Sequence, residues 1–120
     1  MPKKVLVVED SPGEMALIRE ALENRGYDLL TATDGESALE LVTDSLPDVM
    51  VLDIELPKIN GFQICRQIKA SRSTRGIRII LLSARNRESD RFWGLKQGAD
   101  EYMTKPFEAT RLAASVERYL

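Results

Sequence analysis

The chain has 120 residues, 43% apolar and 30% charged, with a formal net charge of −2, the make-up of one globular domain. That charge excludes the strongly basic field of a nucleic-acid binder, and a lone cysteine excludes an internal disulfide. The lack of any histidine excludes Ser–His and Cys–His nucleophile pairs and histidine metal sites, so a bound metal would be held by oxygen, favouring Mg2+, Mn2+ or Ca2+ over Zn2+. The opening MPKK has no signal-peptide core and no apolar run reaches membrane-spanning length. A cytoplasmic protein with no membrane insertion and no direct nucleic-acid contact is expected.

KKVLVV (3–8) is a valine-rich apolar run and reads as a buried strand. In SPGE, Ser11 is a helix cap, Pro12 suits the first helical position, and Glu14 completes a capping box. Met15, Ile18, Ala21 and Leu22 form the apolar stripe of that helix, and Gly26 is expected to end it. DLLTAT (28–33) is a second strand. DGES opens a helix carrying Ala38, Leu41 and Val42, with Pro47 ending the segment. VMVLD (49–53) is the third strand, followed by a turn over Pro57–Gly61 and a helix lined by Phe62, Cys65 and Ile68. IRIILLS (77–83) is the fourth strand, and 87–97 a helix with Phe92 and Leu95 inward and Trp93 partly buried. EYMT (101–104) is a short fifth strand, and Ala109, Leu112, Ala113, Val116 and Leu120 mark a last helix. The basic residues Arg66, Lys69, Arg72, Arg75 and Arg78 read as a solvated surface, and Cys65 as a small core residue.

Five strand–helix units with short connections predict an α/β fold, a doubly wound parallel sheet with helices on both faces. In the flavodoxin-like (βα)5 order 2-1-3-4-5, strand two is an edge and the other four strand ends converge on one crevice. Those ends carry Glu9 and Asp10, then Asp53, then Ser83, then Thr104 and Lys105. Singly, each has a structural use: a helix cap for Asp10 or Ser83, a turn for Asp53, a surface position for Lys105. Together they do not. Clustered acids repel unless a cation is held among them, and acid oxygens in a half-open site suit Mg2+. The lysine and hydroxyl add donors for an anion beside the metal. The set fits a metal and a transferred phosphoryl group, with Asp53 the best-placed nucleophile because carboxylates form acyl phosphates.

Two other classes compete. A flavodoxin-like FMN protein needs a phosphate-binding loop after strand one, where EDSPGE is acidic. A dehalogenase-type phosphatase places its nucleophile after the first strand, whereas DIE follows the third.

The motifs VVEDS (7–11), VLDIELPKINGF (51–62), LLSAR (81–85) and GADEYMTKPF (98–107) occur in order along the whole chain. With them the sequence resembles the response-regulator receiver domains of bacterial two-component signalling, in the manner of stand-alone chemotaxis and twitching-motility regulators. The resemblance implies one receiver domain over 1–120 without an output module. It implies phosphorylation of Asp53 by a partner histidine kinase or phosphotransfer protein, as a signalling switch rather than a metabolic enzyme. It further implies Mg2+ or Mn2+ held by Glu9, Asp10, Asp53 and the backbone carbonyl of Glu55, Glu9 through water. Ser83 and Lys105 would contact the phosphoryl group, and Lys105–Pro106 would be cis. Tyr102 would be an aromatic switch that swings inward as Ser83 moves, altering a helix 4–strand 5–helix 5 face that binds a downstream partner. A receiver-like interaction domain that works without phosphorylation is the alternative. Glu55 and Arg85, of opposite charge, flank the implied phosphoryl position. Their pairing across the mouth of the site would impede the attacking water and lengthen the phosphate's lifetime; the alternative is two solvated side chains that contribute little.

Overall fold

Val5 and Val7 point to one side of the first strand, Leu6 and Val8 to the other, and all four are fully buried. A strand covered on both faces is the mark of a parallel sheet between helical layers. The structure, a computed structural model, describes residues 2–120. Its elements are β1 (Lys4–Val8), α1 (Pro12–Leu22), β2 (Asp28–Ala32), α2 (Gly35–Ser45) and β3 (Val49–Asp53), then α3 (Gly61–Ala70), β4 (Arg78–Ser83), α4 (Glu88–Lys96), β5 (Glu101–Thr104) and α5 (Ala109–Tyr119). All strand pairs are parallel, in the order β2-β1-β3-β4-β5. This is the expected fold class and strand order.

Two apolar layers flank the sheet. Leu6, Met50, Leu52, Ile79 and Leu81 pack against Val42, Ile64, Cys65 and Ile68 from α2 and α3. Val5, Val51, Ile80 and Leu82 pack against Ile18, Leu22, Leu112 and Val116 from α1 and α5. Burial pushes the Cys65 thiol up to about 11, so it stays a neutral core group, as expected.

Several local expectations change. The first helix ends at Leu22, capped by Glu23, and Gly26 lies beyond it in the turn at φ 89°. The end of α2 is as expected: the helix stops at Ser45, and its cap Leu46 is left-handed, φ 47°, directly before Pro47, whose ring disfavours further helix. Lys69 is not a solvated charge. Its Nζ donates to the Ile77 carbonyl at 2.6 Å and pairs with Asp100 at 3.2 Å, tying α3 to the residues that lead into β4 and β5. Phe92 and Leu95 do not face inward; they are 64% and 45% exposed, and Trp93 is half exposed. The residue of α4 that meets the core is Gly94, and a Cβ there would stand 2.9 Å from Tyr102 Cδ2 and 3.1 Å from Leu81 Cδ1. A helix seated on its glycine turns the flanking apolar side chains outward.

Gly61 sets the exit from β3. Its N–H donates to the Ile54 carbonyl at 3.0 Å, and a Cβ would lie 2.5 Å from the Asp53 carbonyl oxygen and 2.8 Å from Ile54 Cα. Those neighbours are backbone and cannot rotate aside. Gly61→Ala is therefore expected to destabilise the domain by about 1–3 kcal/mol, the usual cost of overpacking. Urea unfolding measures it, and an unchanged midpoint would contradict the close packing of α3 on β3.

Candidate functional site

The carboxyl ends of β1, β3, β4 and β5 meet as the topology requires. Glu9 and Asp53 are fully and almost fully buried, while Asp10 beside them is exposed. Oxygens from Glu9, Asp10 and Asp53 lie within 4.8 Å of one another. Lys105 enters this cluster from beyond β5. Its Nζ donates to Glu9 Oε1 at 2.9 Å and to Asp53 Oδ1 at 3.1 Å. The backbone is pinned nearby: Lys105 N–H donates to the Ser83 carbonyl at 2.8 Å, and Ile54 N–H to the Leu82 carbonyl at 3.0 Å. The Lys105–Pro106 bond is cis.

A third carboxylate completes the lysine's set. Glu14 Oε1 lies 3.1 Å from Lys105 Nζ. The expected capping box at the start of α1 is therefore only half formed. The Ser11 hydroxyl accepts from Glu14 N–H at 3.3 Å, but the Glu14 side chain turns to Lys105. The lysine supplies a stronger, charged partner than a backbone N–H. Sequence reasoning assigned Glu14 to the helix alone. The available signal was its place in the first turn of the helix that leaves β1 at the crevice.

The electrostatics follow from this packing. Burial, and then the neighbouring Glu9 charge, hold the Asp53 carboxyl above its ordinary value, with Lys105 acting against both. Burial opposes the Lys105 charge, but its bonds to Glu9, Asp53 and Glu14 outweigh that and raise its pKa. Lys105 is thus a fixed cation, and Asp53 is a carboxylate whose charge is only partly balanced.

Ser83 and Tyr102 lie at the α4 side of the crevice. Ser83 is fully buried, and its hydroxyl donates to Glu55 Oε1 at 2.6 Å rather than capping a helix. Arg85 Nε is 3.5 Å from the same Glu55 oxygen, so the expected Glu55–Arg85 pair is present. Both side chains are about half exposed, and such a pair alone contributes about 0–1 kcal/mol. Tyr102 is 3% exposed and already inward. Its hydroxyl donates to the Arg85 carbonyl at 2.8 Å, and the Arg91 guanidinium donates to the Tyr102 carbonyl at 3.1 Å. The outward position from which it was expected to swing is not the one seen.

Residues 5–117 match the family model described as the response regulator receiver domain. The chain is 42% identical over 120 residues to the alkaline phosphatase synthesis transcriptional regulatory protein PhoP of Bacillus subtilis, covering all of this chain and 49% of that protein. It is 36% identical over 117 residues to protein PilH of Pseudomonas aeruginosa, covering 98% of this chain and 97% of PilH. The chain thus spans about half the length of PhoP and nearly all of PilH. Among solved structures, it superposes on the chemotaxis response regulator CheY4 of Vibrio cholerae with a TM-score of 0.91 at 27% identity, covering 100% of both chains. It superposes on the BeF3-activated receiver domain of DrrB, from Thermotoga maritima, with a TM-score of 0.89 at 34% identity, covering 99% of this chain and 97% of that one. The crevice, the strand order and these matches together place the chain in the response regulator receiver domain family.

Proposed function

We propose that this domain is a phosphoacceptor switch in which Asp53 takes a phosphoryl group from a phosphohistidine of a partner kinase or phosphotransfer protein. The observation that carries this reading is the Asp53 carboxylate, at the end of the central strand, held by Lys105 inside a cluster of acids. An Asp53 oxygen would bond to phosphorus as the donor's P–N bond breaks, leaving an acyl phosphate on Asp53 and the histidine on the donor.

The donor set fits a hard divalent cation. Glu9, Asp10 and Asp53 offer oxygens close together, with Asp10 open to solvent, and the Glu55 backbone carbonyl would complete the protein ligands. Both Glu9 oxygens already accept, one from Lys105 and one from Ser11 N–H, which supports its acting through water. Mg2+ or Mn2+ bound there would offset charge on the phosphoryl oxygens. Within the chain, Lys105 orients Asp53 and Ser83 offers the hydroxyl that a phosphoryl oxygen would accept from. The partner face lies on α4, β5 and α5, and the outward Phe92, Trp93 and Leu95 support that placement.

Incubation with acetyl phosphate or beryllofluoride plus Mg2+ should give an adduct by intact mass or a change in Trp93 fluorescence, and Asp53→Asn should abolish it. No adduct on the unsubstituted protein would favour a phosphorylation-independent interaction domain. Millimolar Mg2+ should raise Tm by mass action, and Asp10→Asn should remove that shift.

Asp53 also gives a pH signature. Its folded pKa lies above the ordinary 3.8, so its contribution to stability is present below 3.8 and lost as pH rises through the folded value. In metal-free buffer, unfolding free energies should therefore shift in favour of Asp53→Asn as the pH rises above 3.8. A difference that does not change with pH would contradict the burial argument. Glu55→Ala and Arg85→Ala should each shorten the phosphorylated lifetime, because the pair impedes the attacking water. Unchanged decay rates in both would remove the pair from that role.

A further inference from the structure

The Ser83 hydroxyl is committed before any phosphoryl group arrives. A hydroxyl has one proton to donate, and Ser83 gives it to Glu55 Oε1 at 2.6 Å, a charge-assisted length. The connection continues. Ser83 Oγ accepts from Arg85 N–H at 3.0 Å, and the Arg85 carbonyl accepts from the Tyr102 hydroxyl at 2.8 Å. Glu55, Ser83, Arg85 and Tyr102 therefore form one hydrogen-bonded run from the mouth of the site to the inward aromatic ring.

We infer that Glu55 is a positioning residue whose carboxylate holds Ser83, and through it Tyr102, in the inward arrangement, so that a phosphoryl group on Asp53 must displace Glu55 to receive the Ser83 hydroxyl. The displacement half of this statement rests on Asp53 being the phosphoacceptor. The holding half rests on the hydrogen bonds alone. Glu55 is suited to both. It sits two residues beyond the end of β3 and keeps 42% of its side chain exposed, so the carboxylate can leave Ser83 for water. Arg85, 3.5 Å from the same oxygen, keeps a charged partner for it after that exchange. Ser83 itself is sealed at 0% exposure and has no water to turn to, so it must always donate to an acceptor within the site. The switch is then a change of acceptor, from an internal carboxylate to a phosphoryl oxygen. The inward state is populated before phosphorylation, and the domain has a basal level of its active face.

The test follows Tyr102 by NMR of ring-labelled tyrosine, assigned with Tyr102→Phe, in the unphosphorylated protein. Glu55→Ala should shift the Tyr102 ring signals toward those of an exposed tyrosine. Glu55→Gln, whose amide oxygen still accepts, should leave them near the unsubstituted position. Ser83→Ala should reproduce the Glu55→Ala shift, and the double variant should add nothing. Beryllofluoride with Mg2+ should return Glu55→Ala to the inward signal. Unmoved Tyr102 signals in Glu55→Ala, or additive shifts in the double variant, would overturn the inference. No beryllofluoride adduct on the unsubstituted protein would instead overturn the assignment of Asp53, and the spectra without beryllofluoride would still decide whether Glu55 holds Tyr102.

Discussion

Three N–H donors on Lys105 meet three carboxylate oxygens, from Glu9, Asp53 and Glu14, at 2.9, 3.1 and 3.1 Å. The rest of the crevice depends on that contact. Glu9 and Asp53 are buried acids side by side, and among the described residues Lys105 is the one cation paired with either. Removing one partner from a buried pair costs about 3–5 kcal/mol, a large part of the roughly 5–15 kcal/mol that holds a domain folded. The constraint reaches into the topology. β5 is separated from β3 by β4, and β1 lies beyond β3. Adjacent strands are about 4.8 Å apart, so the chain leaving β5 must turn back over the sheet ends for its lysine to reach Glu9.

Much of this was legible in the sequence because it depends on short-range pattern and on topology. Val49–Asp53 and Glu101–Thr104 end where composition places them, and the order 2-1-3-4-5 then brings Glu9, Asp10, Asp53, Ser83 and Lys105 together without any side-chain detail. What could not be read was competition between partners. Glu14 satisfies the sequence rule for a capping box, but the rule does not include a lysine arriving from 91 positions away. Lys69 looked like one of several surface cations, yet the carbonyl of Ile77 and the carboxylate of Asp100 draw it in. Each error has the same origin: a local assignment was overruled by a long-range charged contact, and charged contacts are the stronger hydrogen bonds.

α4 failed for a different reason. Phe92 and Leu95 invite an inward stripe, but the surface offered by Tyr102 and Leu81 has room only for a residue without a side chain. Gly94 takes it, and the helix has little other buried area to hold it. A loosely packed element beside the Ser83–Tyr102 run is well suited to respond to small changes there, because segments with few buried contacts open at low free energy. The same geometry places three large apolar side chains in solvent, where a partner can cover them.

Both donors aimed at the crevice are therefore already engaged, Lys105 with an extra carboxylate from Glu14 and Ser83 with one from Glu55. A phosphoryl group would not create hydrogen bonds to free donors; it would exchange acceptors. Exchange matters for the size of the response. Forming a new charged hydrogen bond contributes about 1.5–3 kcal/mol, but replacing one anionic acceptor by another contributes only the difference. An equilibrium shifts no further than that differential affinity allows. Glu14 and Glu55 both remain about two-fifths exposed, so each recovers solvation when displaced. On the proposed function, this arrangement would narrow the gap between the two states, so that two peripheral acids would help set where the domain rests.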